Sequence, residues 1–165
     1  MNKDNLKESL QTWLSNAKRI VVAGVGNPLR RDDFVGMKIV QGLKGKVSEN
    51  VFLIECETVP ESFIQEIEEF GPSHVLVIDA AIIGKSPGSA ELVEKLEVTT
   101  SAISTHRLPL QLFCKYLKTS IGAQVALLAI QPNETDFGEG LTSEVEKTAE
   151  DLTEILVEVL SSEVE

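Results

Sequence analysis

The sequence is poor in several residue types that mark particular classes of protein. Its 165 residues include only two cysteines, Cys56 and Cys114, and these lie far apart. Two isolated cysteines form neither a disulfide framework nor a spaced metal motif, so we interpret them as small buried side chains in a reducing compartment. No stretch approaches the run of roughly 18 to 20 apolar residues that a membrane span requires, and residues 1–19 lack the apolar core of a secretory signal. We therefore expect a cytoplasmic protein that does not enter a membrane.

Positive charge is also scarce. Fifteen lysines and arginines oppose 26 aspartates and glutamates, which gives a formal net charge of −11 at pH 7. Nonspecific binding of nucleic acid depends on basic residues that displace counterions from phosphate, so this chain is a poor candidate for DNA or RNA binding. Many of the acids lie in residues 143–165, where they alternate with an apolar helical stripe and form a solvated face.

The apolar residues follow an alternating strand and helix pattern. Runs rich in β-branched residues predict buried strands at 19–26, 50–56, 73–81 and 123–132, with a short strand within 84–94. Helical spacing predicts helices after Asp33, at 60–70, at 105–121 and at the C-terminus. This alternation predicts a three-layer α/β/α sandwich with a mostly parallel central sheet. The length allows one domain, which we place at 19–165, after an N-terminal helical extension over 1–18.

Three polar residues lie at or after strand ends, where such a sheet usually forms its ligand site. Asp33 follows the first strand, Asp79 ends the third strand, and His106 lies in the loop before a helix. In an open α/β sheet, ligands bind beyond the carboxyl ends of the parallel strands. One imidazole and two carboxylates are therefore expected to meet at a single edge of the sheet.

The mixed nitrogen and oxygen donor set suits a divalent transition ion such as zinc, nickel, cobalt or iron. Three protein ligands leave an open position, which permits activation of a carbonyl group or of water, or coordination of a metal that arrives with the substrate. We therefore predict that Asp33, Asp79 and His106 are both the metal ligands and the catalytic residues.

Each of these residues also has a purely structural interpretation. Asp33 could serve only to cap the helix that follows it, and His106 could be a helix-entry or core histidine. Asp79 is harder to explain in this way, because a carboxylate at the end of an apolar run is costly to bury unless it is paired or coordinated. The convergence of all three residues on one edge favours the metal site.

Other functional interpretations compete for the same segments. The turn at residues 24–29 resembles a dinucleotide-binding turn, but Leu29 replaces its third glycine, and Glu55 at the end of the second strand would imitate a ribose-binding acid. Cys56 is the less improbable of the two cysteines as a nucleophile. Arg30 and Arg31 could bind a carboxylate or a chain end in a bidentate manner, although exposed loop arginines are more often solvated.

Four segments, taken in order, resemble the sequence blocks of the nickel-iron hydrogenase maturation endopeptidases. They are GVGNPLRRDDFVG at 24–36, VLVIDAA at 75–81, STHRLPL at 104–110 and AIQP at 129–132. The similarity extends from about residue 19 to the C-terminal helix. The order of four blocks is far more specific than any one of them.

This resemblance implies an aspartic-type endopeptidase that removes a C-terminal extension from a hydrogenase large-subunit precursor after nickel insertion. The metal-binding positions of the family match Asp33, Asp79 and His106. The family is taken to recognise nickel held by the substrate, so no permanent metal is expected in the free protein. The implied partner is the precursor, and the free protein is expected to be a monomer. Asp32 is expected to cap a helix or to orient a metal ligand.

The chain also departs from the family pattern. Family members commonly have Asp-Gly-Gly-Thr/Ser after the second strand, whereas this chain has Glu-Cys-Glu-Thr at 55–58. Ala129 stands where glycine is usual. The first of these changes bears on the choice of precursor more than on the chemistry. A non-catalytic hydrogenase assembly chaperone and a small-ligand or nucleotide-binding α/β protein remain as alternative functions.

Overall fold

A five-stranded sheet forms the centre of the fold. The computed structural model describes residues 2–95 and 108–161. The strands are β1 (Ile20–Val25), β2 (Val51–Glu57), β3 (His74–Ala80), β4 (Ala90–Val93) and β5 (Gln124–Ile130). Their order across the sheet is β2-β1-β3-β5-β4. The first four of these run parallel, and β4 is an antiparallel edge strand.

Helices cover both faces of this sheet. They are α1 (Lys3–Trp13), α2 (Val35–Leu43), α3 (Ile64–Phe70), α4 (Leu108–Tyr116) and α5 (Ser143–Ser161). Residues of α1, α2 and α5 pack on one face, and residues of α3 and α4 pack on the other. The predicted three-layer α/β/α sandwich with a mostly parallel sheet is confirmed.

The central strands are apolar throughout because both of their faces are covered. In β3, Leu76 and Ile78 belong to the cluster beneath α1, α2 and α5, whereas Val75 and Val77 belong to the cluster beneath α3 and α4. Side chains alternate between the faces of a strand. Asp79 therefore lies on the same face as Val77, which is the face that α4 covers.

The N-terminal helix is amphipathic, as its sequence predicts. Leu6, Leu10 and Trp13 of α1 are buried in the same cluster as the apolar residues of α5. The helix begins after Asn2, whose side-chain oxygen accepts a hydrogen bond of 3.1 Å from the backbone N–H of Asn5. Within the described residues, every helix is too short or too polar to span a membrane.

Two glycines allow α2 to lie directly on the centre of the sheet. A Cβ atom on Gly36, in the first turn of α2, would lie 2.1 Å from the carbonyl oxygen of Ile78 in β3. A Cβ atom on Gly24 in β1 would lie 2.5 Å from the carbonyl oxygen of Gly36. Such distances forbid any side chain, so this close approach of helix and strands requires glycine at both positions.

Candidate active site

Asp33 lies over the carboxyl end of β1, in a short 3₁₀ turn formed by Arg31–Phe34. Its side chain is buried, and its Oδ2 accepts a hydrogen bond of 2.8 Å from the backbone N–H of Asn27. A Cβ atom on Gly26 would lie 1.8 Å from the carbonyl oxygen of Asp33, so only glycine permits this packing. The N-cap residue of α2 is Phe34, whose side chain makes no capping hydrogen bond. The described hydrogen bond of the Asp33 side chain goes to Asn27 and not to α2, so it lends no support to the helix-capping interpretation.

Asp79 lies at the carboxyl end of β3 and is fully buried. The residue before it, Ile78, touches Gly36, which follows Asp33 by three positions. The 3₁₀ turn itself also contacts β3. The turn that carries Asp33 and the strand end that carries Asp79 therefore lie side by side at one edge of the sheet. The convergence of the two carboxylates on a common site stays a prediction.

His106, the third predicted ligand, lies outside the described residues. The described helix that follows it, α4, begins at Leu108 and packs over the face of the sheet that holds Asp79. Within residues 2–95 and 108–161 there is no group of three histidine, cysteine, aspartate or glutamate side chains placed to hold a metal. The complete set of three ligands therefore stays a prediction.

Asp32 has a different role from its neighbour. Its fully buried carboxylate accepts hydrogen bonds from the backbone N–H groups of Asn133 at 2.8 Å, Glu134 at 2.9 Å and Thr142 at 2.7 Å. The hydroxyl group of Thr142 donates a fourth bond of 2.7 Å. Charge-assisted bonds of this kind are stronger than neutral ones. Asp32 does not cap α2; it fixes the loop between β5 and α5.

Gln131, in the AIQP segment, connects two strand ends. Its side-chain oxygen accepts a hydrogen bond of 2.7 Å from the backbone N–H of Ile83, just beyond β3. Its amide nitrogen donates to the carbonyl oxygen of Pro132 at 3.2 Å. Neither Gln131 nor Thr142 was recognised from the sequence as part of this edge, because each acts through partners that are distant along the chain.

Neither cysteine has the properties of a nucleophile. Both thiols are buried. Desolvation, together with the nearby charges of Glu61 and Glu66, raises the pKa of Cys56 to about 12. Burial likewise raises the pKa of Cys114 to about 12, with a smaller contribution from the charge of Asp79. A nucleophilic cysteine reacts as its thiolate, so the interpretation of Cys56 as a nucleophile is not supported.

The residues that suggested a dinucleotide site make structural contacts instead. Glu55 forms an ion pair with Lys44 and accepts a hydrogen bond of 2.8 Å from Gln41. The hydrogen bond from Lys44 lowers the pKa of Glu55. The glycines of the 24–29 turn are explained by close packing, as described above.

Arg31 donates from Nε to the carbonyl oxygen of Gly140 at 3.1 Å, which ties it to the β5–α5 loop.

The backbone at Glu57 has a conformation that favours glycine, the residue that the family resemblance leads one to expect at this position. Glu57 adopts φ = 52°, a left-handed conformation that residues with a Cβ atom rarely take. Its N–H donates to the sulfur of Met37 at 3.3 Å, and its carbonyl accepts a bond of 2.8 Å from the N–H of Gly26. The strand end thus keeps a glycine-like conformation despite the substitution.

Comparison with known families gives a match over most of the chain. A family model described as hydrogenase maturation protease matches residues 37–159. A protein of Methanocaldococcus jannaschii, assigned as a hydrogenase maturation protease, is 36% identical over 163 residues, covering 94% of this chain and 96% of the relative. The hydrogenase 3 maturation protease of Escherichia coli is 28% identical over 131 residues, covering 79% of this chain and 83% of the relative.

Solved structures agree with these sequence matches. The crystal structure of a nickel-iron hydrogenase maturation protease from Thermococcus kodakarensis has a TM-score of 0.87 and 32% identity, covering 93% of this chain and 99% of that one. The hydrogenase maturating endopeptidase HybD of Escherichia coli has a TM-score of 0.71 and 26% identity, covering 86% of this chain and 92% of that one. The arrangement of strands and helices is thus shared along nearly the whole chain.

Proposed function

Because this chain belongs to the hydrogenase maturation protease family and is a peptidase, we propose that it removes the C-terminal extension of a nickel-iron hydrogenase large-subunit precursor. Cleavage follows insertion of nickel into that precursor. The observation that carries this proposal is the placement of two buried carboxylates, Asp33 and Asp79, at the carboxyl edge of the sheet. This edge is where open α/β folds bind their ligands.

In the proposed reaction, Asp33, Asp79 and His106 contact the nickel that the precursor carries. The donor set of two carboxylates and one imidazole suits a borderline divalent ion. One carboxylate orients the attacking water, and the metal polarises the scissile carbonyl group. The nickel belongs to the substrate in this scheme, so the peptidase itself needs no resident metal.

This arrangement makes cleavage a test of metal loading. A precursor without nickel offers nothing for the three side chains to bind, and its scissile bond is then not held against them. Correct positioning of reacting groups supplies a large part of enzymatic rate enhancement. The protease is therefore expected to spare the unloaded precursor and to process the loaded one.

The test is incubation of the purified protein with a nickel-loaded precursor and, in parallel, with the same precursor lacking nickel. Mass spectrometry of the products should show loss of the C-terminal extension only from the loaded form. An intact loaded precursor would contradict the proposal. Stable binding of that precursor without cleavage would instead support the assembly-chaperone alternative.

A further inference from the structure

Exposed apolar side chains are concentrated at the same edge of the sheet as Asp33 and Asp79. The described part of the chain exposes six large apolar side chains. Four of them lie in the loops that follow β1, β2, β3 and β5, and we call these four the apolar rim: Leu29, Val59, Ile82 and Phe137. Carboxyl ends of parallel strands meet at one edge, so the four loops that carry these side chains lie at the same edge of the sheet.

Backbone contacts connect these loops to one another. The N–H of Gly138, next to Phe137, donates to the carbonyl oxygen of Leu29 at 2.7 Å. The N–H of Arg31 donates to the carbonyl oxygen of Gly138 at 3.1 Å. On the other side, Gln131 holds the backbone of Ile83, beside Ile82. The loops after β1, β3 and β5 therefore form a connected platform.

Phe137 is the most exposed large apolar residue of this platform, with 77% of its surface accessible. The backbone of its loop is held on both sides, because Asp32 binds Glu134 and Thr142 and the side chain of Arg31 binds Gly140. A loop whose backbone is fixed before binding loses less conformational entropy when a partner covers it. Aromatic residues are typical anchors of protein interfaces.

We propose that the apolar rim is the docking surface for the folded body of the hydrogenase large-subunit precursor, with Phe137 as its anchor. This inference rests on the proposed function, because a protein substrate that reaches Asp33 and Asp79 must cover the surrounding loops.

Asp136 and Glu139 flank Phe137 and are exposed. Arg30, beside Leu29, is exposed as well. The complementary surface of the precursor is therefore an apolar pocket with basic residues on the side that faces Phe137.

The test compares Phe137→Ser with Tyr116→Ser. Tyr116 is also an exposed aromatic residue, but it lies at the C-terminal end of α4 and donates a hydrogen bond to Glu68, away from the apolar rim. With nickel-loaded precursor as substrate, Phe137→Ser should raise KM about tenfold, which is about 1.4 kcal/mol of binding free energy, with little change in kcat. Tyr116→Ser should leave both constants unchanged.

Several outcomes separate this inference from the proposed function. If the wild-type protein cleaves the loaded precursor and Phe137→Ser leaves KM unchanged, the docking surface is overturned while the proposed function stands. If Phe137→Ser does not fold, Leu29→Ser provides the same test at the neighbouring loop. If the wild-type protein fails to cleave, the dissociation constant of its complex with the loaded precursor is measured instead. Weaker binding by Phe137→Ser than by the wild type supports the docking surface. Equal binding by the two proteins, or no binding by the wild type, overturns it.

Discussion

The two ends of the central sheet place buried polar residues in different settings. At the carboxyl end of β3, Asp79 lies near the turn that carries Asp33, among loops with exposed apolar side chains. At the amino end of the same strand, His74 is buried against the ring of Trp13, with ring centroids 5.0 Å apart, and its Nδ1 lies 2.9 Å from the hydroxyl group of Ser73.

This comparison shows that burial of a titratable group does not by itself mark a functional site. His74 is closed in by α1 and serves the packing of the fold. Asp79 is equally buried but lies where loops from four parallel strands converge. Substitution of Asp33 or Asp79 should therefore change catalysis, whereas substitution of His74 should change stability.

The largest expected effect is the loss of cleavage when Asp79 or Asp33 is replaced by asparagine. Both substitutions keep the shape of the side chain and remove its charge and basicity. A general acid or base contributes about 10²- to 10⁴-fold to rate, so the cleavage rate of the loaded precursor should fall by at least about 10²-fold. Full activity of Asp79→Asn would remove this residue from the mechanism.

Asp32→Ala tests the structural role of the acid that is next to Asp33 in the sequence. The substitution leaves the N–H groups of Asn133, Glu134 and Thr142 without their acceptor, so the free energy of unfolding should fall by about 3 kcal/mol. Urea denaturation measures this loss. Asp32→Asn, which keeps one acceptor oxygen, should lose less. Equal stability of Asp32→Ala and the wild type would contradict the conclusion that Asp32 fixes the loop between β5 and α5.

Glu57→Gly should stabilise the protein by about 1 kcal/mol. A residue with a Cβ atom is strained by about 1–2 kcal/mol in the left-handed conformation, and glycine is not. The midpoint of thermal unfolding should therefore rise for Glu57→Gly and stay nearly constant for Glu57→Ala, which keeps the Cβ atom. A matching rise in both variants would show that the charge of Glu57, and not its backbone, causes the effect.

The smallest expected effect is a pH dependence of stability at the amino end of the sheet. Burial lowers the pKa of His74 from its ordinary value of about 6.5. As pH falls below about 6.5, the unfolded chain takes up a proton on His74 before the folded chain does. The free energy of unfolding should therefore decrease from pH 7 toward the lower folded-state pKa and then level off.

His74→Gln provides the control for this prediction. Glutamine does not titrate in this range, so the contribution of His74 to the pH dependence should disappear. Denaturation curves between pH 5 and pH 8 measure the difference between the two proteins. Cleavage of the loaded precursor at pH 7 should be the same for both proteins, and a large loss of activity in His74→Gln would break the distinction between the two ends of the sheet.

Much of the fold was predictable because its signals are local. Apolar runs placed the central strands within a residue or two, as Ile20–Val25 and His74–Ala80 show. Helical spacing also predicted α1 and α5, although α1 ends at Trp13, short of the predicted end of the extension at residue 18. The candidate site was placed by topology, since carboxyl ends of parallel strands are the usual ligand sites. Asp33 and Asp79 were predicted from their positions, and the structure buries both at this edge of the sheet.

The roles of neighbouring acids were not predictable in this way. Asp32 and Asp33 are adjacent and chemically identical, and helix capping was a reasonable interpretation of both. Asp32 instead binds Thr142, 110 positions later in the chain, and Asp33 binds the backbone of Asn27. No local pattern distinguishes these two roles, because the hydrogen bonds of Asp32 depend on the loop between β5 and α5, which is distant along the chain.

The sequence by itself determined the order of strands and helices, the apolar core and the presence of two acids at strand ends. These features depend on side-chain periodicity and on residues close together in the chain. The tertiary structure alone decided which acid binds a loop, that Glu57 adopts a left-handed conformation, and that Leu29 and Phe137 share one surface. Such facts depend on contacts between distant segments, which exist only once the sheet has brought those segments together.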